Sequence, residues 1–366
     1  MNNYILIIAN IPKRKNIKDG MILRELAIDK IFAHFDKIYV EHIDYKPSFF
    51  KQPKKWFIKH FYNKIKGSKY LTNNPIIYNN ISKSNFHILC QNAKKIYVHS
   101  LHMLERIPKE YIEEFKDKII LDIHGCVVEE LMFENADKNF IKKFKDIEEF
   151  AFPIINTLVS VNTNMIDFYK EKYTGIKTNF IHLPIFNSDI KNFAKNNNKN
   201  KLTLIYSGGT QSWQKIDLLI DTIKKIADKY EIIILSPEIE KFTKLLGELK
   251  QKVVLKSVLP ENLDIEYQKA DLGFILRDDI IVNRVACPTK IIDYLEYGII
   301  PIISCPEIGD FNKMGYSYIH YEKLIEGKIF DNNELEKMRK NNTKIIERLR
   351  NIQQDGKEKL LKLLEN

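Results

Sequence analysis

Short runs of aliphatic and β-branched residues alternate along this chain with longer amphipathic stretches, starting at Tyr4-Ile5-Leu6-Ile7-Ile8. Continuous apolar runs of about four to eight residues mark strands buried on both faces. They predict strands at 4–9, 37–41, 95–99, 119–123, 157–161 and 179–183. Helical patterns fall between them, for example over 19–35 and 129–152. Strand and helix in alternation predict a parallel sheet with right-handed crossovers.

The pattern then breaks. Residues 187–201 are polar and rich in Asn and Lys, which is linker chemistry. A second series follows, with strands predicted at 202–206, 231–235, 253–256, 272–276 and 300–304, and helices at 215–229 and 290–297. A charged helix closes the chain over about 333–366. The expected fold is α/β, with two Rossmann-like domains facing a central cleft. An N-terminal domain takes 1–186, a linker 187–201, a C-terminal domain 202–345, and a helical tail 346–366. Ligands of such sheets bind outside the carboxyl ends of the strands.

Composition adds limits. The chain has 366 residues, which suits two domains of about 150–200 residues each. Lys or Asp interrupts every apolar run well short of the roughly 18 residues a membrane span needs. The first residues read as a strand and not as a signal peptide, so a cytoplasmic location is expected. Cys90, Cys126, Cys287 and Cys305 are far apart, and no C-x-x-C exists. Buried thiols in a reducing compartment fit better than a disulfide framework or a zinc site. The net charge of +10 favours anionic partners such as nucleotide phosphates, anionic lipid or nucleic acid.

Two segments carry candidate chemistry. The first runs Tyr206-Ser207-Gly208-Gly209-Thr210-Gln211-Ser212-Trp213-Gln214-Lys215. A strand ends, two glycines follow, and a helix opens near Gln214. Glycines let the backbone approach a ligand, free N–H groups at a helix start favour phosphate, and Lys215 adds a positive charge. A plain strand-to-helix turn would need the same glycines. The second segment is Leu276-Arg277-Asp278-Asp279, then Pro288-Thr289-Lys290-Ile291-Ile292-Asp293-Tyr294-Leu295-Glu296-Tyr297-Gly298-Ile299-Ile300-Pro301. Pro288 and Thr289 suit a helix start, with Thr able to cap, and Gly298 suits its C-cap. Lys290 and Asp293, three apart, share a helical face. That face can meet phosphate and sugar hydroxyls, or can be a solvated ion pair.

Together these segments resemble the donor half of GT-B glycosyltransferases, in particular retaining family 4. That family has a glycine loop after the first strand of its C-terminal domain and a helix ending in a pattern like Asp293 to Ile302. The resemblance covers most of 202–305, and the N-terminal half by architecture. It implies that Gly208 and Gly209 approach the diphosphate, that Lys215 and Lys290 neutralise it, and that Thr289 binds its oxygens. Asp293 would hydrogen-bond the ribose. The family's pair of glutamates is altered here: Asp293 replaces the second, and Val285 stands at the first. An acidic contact to the donor sugar would then come from Asp278 or Asp279, with Arg277 beside them, or be missing. The donor would be a UDP- or GDP-linked sugar and the acceptor a glycan or lipid-linked glycan, with retention of configuration and no cofactor.

In the first half, Asp122-Ile123-His124-Gly125 follows a strand, with Glu129-Glu130 soon after. In similar enzymes a His here lies near the reacting sugar, and Gly125 would keep the loop open. A strand-end histidine satisfying backbone groups is the plainer reading. Gly20-Met21 and Arg24 look like the acceptor-side loop of the same family, Asn10 and Lys18 to Gly20 could face the cleft, and Glu129 is a further acceptor-side candidate. From Lys46 to Lys69 there are eight lysines and no acid, interleaved with aromatics. A helix bearing Lys54, Lys55, Trp56, Lys59 and Lys64 could lie on an anionic bilayer at the inner face of the membrane. It could equally pack its aromatics on the sheet.

No D-x-D triplet offers a metal-ligand pair, and Lys residues with helix N-termini can stabilise a leaving diphosphate without a metal. No G-x-G-x-x-G, P-loop, H-E-x-x-H or G-x-S-x-G occurs. No RNA-stacking motif is visible, so the positive charge does not argue for nucleic acid. The alternatives are a catalytically inactive GT-B partner subunit, a sugar-nucleotide epimerase or a polyol-phosphate transferase.

Overall fold

The computed structural model describes residues 4–10, 20–45, 69–71, 76–186, 201–259 and 262–365. Lys18, the basic aromatic segment with Lys54, Lys55, Trp56, Lys59 and Lys64, and most of the 187–201 linker lie outside them.

The chain divides into two compact units. The first holds residues up to Val161, then Met165–Ile185, and the end of the chain from Gln354. Its sheet contains β1 (Tyr4–Ile8), β2 (Lys37–Val40), β3 (Lys69–Leu71), β4 (Ile76–Tyr78), β5 (Ala93–His99), β6 (Ile119–Ile123), β7 (Thr157–Ser160) and β8 (Asn179–His182). The strand order is β3-β4-β2-β1-β5-β6-β7-β8, parallel except for the β3–β4 pair. The central apolar runs, β1 and β6, are buried along their whole length, as strands covered on both faces are. The short edge pair β3–β4 has no clear sequence pattern and adds to the strands expected above.

The helical stretch expected over 129–152 is two helices, Val127–Phe133 and Lys138–Ala151. Asn135 adopts a left-handed conformation (φ 52°), which Asn tolerates and which ends the first helix. Asp137 then caps the second, its carboxylate accepting from the N–H groups of Asn139 and Phe140.

The second unit carries β9 (Thr203–Ser207), β10 (Glu231–Leu235), β11 (Val253–Lys256), β12 (Leu272–Ile275), β13 (Ile300–Ile303) and β14 (Ile319–His320). Their order, β11-β10-β9-β12-β13-β14, is all parallel. Counted from β9 this is 3-2-1-4-5-6, the dinucleotide-fold order. Alternate residues of β9 feed two cores: Leu204 and Tyr206 on one face, Ile205 on the other. Gly273 in β12 has no Cβ because the Tyr294 ring occupies that space. The switch point between β9 and β12, where chain direction across the sheet reverses, is where such a sheet leaves an opening.

The last helix runs Asn332–Glu365 as one element of 34 residues. A separate tail beginning at 346 is therefore not a distinct element. Leu360 and Leu364 near its end pack with Ile5 and Ile7 in the first unit's core. Among the described residues no helix is long and apolar enough to cross a membrane.

Candidate functional site

In the second unit β9 ends at Ser207 and the chain turns through Gly208, whose φ of 153° suits glycine. The loop is held from below. Tyr294 Oη accepts from Ser207 N–H at 3.2 Å, Leu235 O accepts from Gly208 N–H at 2.9 Å, and Glu238 accepts from Thr210 N–H at 2.6 Å. Tyr206 Oη donates to Gly209 O at 2.6 Å. Gly209 N–H is left without an acceptor among the described residues. A single 3-10 turn, Ser212–Gln214, precedes the helix, which starts at Ile216 and not near Gln214.

Lys215 stands between the two in a left-handed conformation (φ 44°). Its ammonium donates to Asp278 Oδ1, so two of the expected donor-site residues neutralise each other. Among the described residues Arg277 and Lys290 have no such partner. Arg277, at the end of β12, is 8% exposed. Its Nη1 donates to Asn283 Oδ1 at 2.9 Å, while its Nε has no acceptor. Lys290 is half-buried, with Nζ 4.3 Å from the centroid of the Tyr206 ring and 3.0 Å from Gln214 Oε1. That Nζ lies 2.8 Å from where a Cβ on Gly208 would stand. Among the described residues neither cation is paired with a carboxylate. Burial pushes the Arg277 guanidinium down to about 10. Burial, and then the Arg277 charge, pull the Lys290 amine well below its ordinary range.

Thr289 is the first residue of the helix Thr289–Glu296, and Pro288 occupies the cap position, so the expected Thr cap does not form. At the other end Gly298 (φ 63°) donates to Leu295 O and Ile299 to Tyr294 O, closing the helix as expected of a C-terminal glycine. Asp293 is half-buried, and its charge helps burial raise the pKa of Tyr267.

The first unit gathers a different cluster at the ends of β5 and β6. Asp122 is fully buried. Arg24, in the helix Gly20–Ile31, is buried too: its Nε donates to Asp122 Oδ2 at 2.9 Å, Nη2 to Oδ1 at 2.6 Å, and Nη1 to Leu183 O at 3.0 Å. His124 Nε2 lies 3.0 Å from Asp122 Oδ2, and His99 Nδ1 3.6 Å from it. Burial alone would raise the Asp122 carboxyl, but Arg24 and then His124 hold it well below the usual carboxylate range. Burial pushes the His99 imidazole down to about 3 and also lowers His124, so both are neutral near pH 7. Ser100, next to His99, is held at φ 70°.

His99, Asp122 and His124 could turn ligand atoms to one metal ion, all within 4.8 Å of one another. A cation there would have to displace the guanidinium that already spans both Asp122 oxygens.

Gly20 opens the Arg24 helix, while Asn10 N–H donates to Glu25 Oε1 at 3.2 Å and its Oδ1 accepts from Arg106 at 3.3 Å. Glu129 is engaged by Lys172, 2.7 Å away, which also pairs with the buried Glu148. Glu130 is the carboxyl that sits at the loop. Burial, then Glu134 and Glu129, raise it to about 7. The space beside Gly125 is filled by Glu130 and is not an opening. Asp122, Glu130 and Glu238 are not singled out by sequence pattern, because their partners are distant in the chain or lie across a loop.

No protein-family model matches the sequence, and no curated protein matches it at a significant level. Solved structures do. Alr3699/HepE of Anabaena, solved in complex with UDP-glucose, aligns with a TM-score of 0.67 at 11% identity, covering 98% of this chain and 99% of that one. An α,α-trehalose-phosphate synthase (UDP-forming) of Burkholderia vietnamiensis aligns at 0.60 and 8% identity, covering 100% and 97%. TarM of S. aureus, as a point mutant in complex with UDP, α-GlcNAc-glycerol and fondaparinux, aligns at 0.54 and 12% identity, covering all of both chains. At such identities the likeness is one of fold: two Rossmann-like α/β domains, as in GT-B proteins.

Proposed function

We propose that this protein is a glycosyltransferase that moves a sugar from a nucleotide-diphosphate donor to a glycan or lipid-linked glycan in bacterial cell-surface polysaccharide synthesis. The observation that carries the reading is the pair of cations, Arg277 and Lys290, which among the described residues have no carboxylate partner, with Lys290 beside Gly208 near the switch point of the second sheet. Two positive groups so placed call for an anion of more than one charge, and a diphosphate ester fits. Structures of similar fold, solved with UDP-glucose or UDP, support the same choice.

As the sugar departs, negative charge grows on the diphosphate. Arg277, Lys290 and Gly209 N–H oppose it, and removing one such group typically costs about 3 kcal/mol, or roughly a hundredfold in rate. The same reading includes retention of configuration, catalysis without a metal, and a neutral His124 oriented by Asp122 towards the reacting sugar. Attachment to an anionic membrane through Lys54, Lys55, Trp56, Lys59 and Lys64 belongs to it as well.

A thermal-shift screen over UDP- and GDP-linked sugars tests the donor site. Specific donor binding raises the melting temperature by mass action, about 2.7 kcal/mol at a hundredfold excess over Kd. The matched pair of donor and acceptor should then yield product whose anomeric configuration is read by NMR. No stabilisation by any nucleotide sugar would overturn the reading.

A further inference from the structure

Long cationic side chains lose rotamer freedom when they are aimed at a ligand, so an anion site gains from groups that hold its cations in place beforehand. A carboxylate holds a cation firmly but also cancels its charge, as Asp278 does for Lys215. At Arg277 and Lys290 the holding group is a side-chain amide instead. Asn283 Oδ1 accepts from Arg277 Nη1 at 2.9 Å, and Gln214 Oε1 accepts from Lys290 Nζ at 3.0 Å.

The mount of Arg277 is built from both ends. Ser304 Oγ accepts from the Arg277 N–H at 2.9 Å and donates to the Arg277 carbonyl at 2.6 Å, which fixes the backbone. Asn283, in the short helix Ile281–Arg284, is fully buried. While its Oδ1 takes the guanidinium, its Nδ2 donates to Asp278 O at 2.9 Å. Asp has nearly the same shape but no donor for that carbonyl. Asn therefore satisfies both neighbours and adds no charge. The buried Arg277 Nε–H is left without an acceptor among the described residues. Gln214 ends the 3-10 turn Ser212–Gln214 and meets Lys290 from the side opposite in kind to the Tyr206 ring, an amide oxygen against an aromatic face. Both stabilise an ammonium, and neither cancels its charge.

We propose that Asn283 and Gln214 are positioning residues of the donor site: neutral amides that aim Arg277 and Lys290 at the diphosphate and leave both positive charges to it. The inference rests on the donor reading and adds why these two positions carry amides and not acids. An acid at either would pair with its cation, and the diphosphate would have to compete with a fixed internal anion.

Isothermal titration of the full chain with UDP-glucose and GDP-mannose, beside thermal melting, tests this. Gln214→Ala and Asn283→Ala remove the hydrogen bond alone and should weaken binding by about three- to tenfold. Gln214→Glu and Asn283→Asp keep the shape and add one negative charge each, and should weaken it further than the matching alanine, by more than about tenfold. In an Arg277→Met background Asn283→Ala should cost no further affinity, because the amide acts through the guanidinium. A merely structural amide would lower the melting temperature and leave affinity at the wild-type value. That result in both alanine variants, or an acid variant that binds as well as its alanine counterpart, would overturn the proposal. An Asn283→Ala loss that persists beside Arg277→Met would overturn it equally. Where a variant at the buried position 283 does not fold, the Gln214 pair on its half-buried turn decides. If the wild type binds neither nucleotide sugar, the donor reading itself fails and this assignment falls with it.

Discussion

The Glu130 carboxylate lies on the backbone of Gly125: a Cβ at that position would stand 2.2 Å from Glu130 Oε1. The pair closes the loop after β6, and the glycine is needed to admit a carboxyl group.

The half-buried Glu130 carboxyl keeps its proton up to about pH 7, against an ordinary value of 4.5. The folded protein thus holds more protons than the unfolded chain between these values, and stability falls as pH rises from about 4.5 to 7. Glu130→Gln keeps the shape and removes the titration. It should be more stable than wild type at pH 8, by up to about 3 kcal/mol, and similar to it near pH 4.5. Urea unfolding at the two pH values decides this, and an equal difference at both would count against the assignment.

Gly125→Ala should be tolerated, because the atom it displaces is the end of a flexible side chain. The displaced carboxyl moves towards water and the ordinary carboxylate range. The stability difference between about pH 5 and pH 8 should therefore shrink in this variant, with a net cost at pH 8 below about 1 kcal/mol. Unchanged pH dependence would show that Glu130 owes its environment to other contacts.

Arg24→Met leaves Asp122 as an uncompensated buried charge. Breaking such a pair from one side costs about 3–5 kcal/mol, while replacing both partners costs much less. The double variant Arg24→Met/Asp122→Asn should recover part of the loss in denaturant unfolding. Additive losses would argue that the pair is not coupled.

Lys215 and Lys290 should behave differently, although both follow from the same sequence pattern. Lys290→Met should weaken nucleotide-sugar binding by about tenfold or more. Lys215→Ala acts indirectly by freeing Asp278, which then opposes the incoming anion. Adding Asp278→Ala to Lys215→Ala should restore binding, as read by titration calorimetry. A double variant weaker than Lys215→Ala would place Lys215 on the ligand itself.

The elements of the fold were largely legible, because buried parallel strands are written as continuous apolar runs. β1, β6 and β10 are examples. β3 and β4, three residues each at a sheet edge, are too short to leave a periodic pattern in sequence. The glycine loop, Arg277 and Lys290 are marked locally by their place after a strand or at a helix start. Which cation lacks a partner is not marked, since Lys215 and Asp278 meet across 63 residues of chain. The role of Glu130 was hidden for the same reason: neighbouring acids look alike in sequence, and only packing sends Glu129 to Lys172 and Glu130 to Gly125.

Gly356, in the final helix, has the backbone carbonyl of His182 2.3 Å from where its Cβ would be. Gly356→Ala meets backbone that cannot step aside. It should lose about 1–3 kcal/mol of stability despite the better helix propensity of Ala, as thermal melting will show. A more stable variant would mean that the helix and β8 can separate freely.

That helix also sets the timetable of folding on the ribosome. Leu360 and Leu364 complete a core that begins with Ile5 and Ile7. Ile5 and Ile7 leave the exit tunnel long before Leu360 and Leu364, and the second sheet emerges and folds in between. During that interval the first sheet presents apolar surface to the cell, where a nascent-chain chaperone would bind.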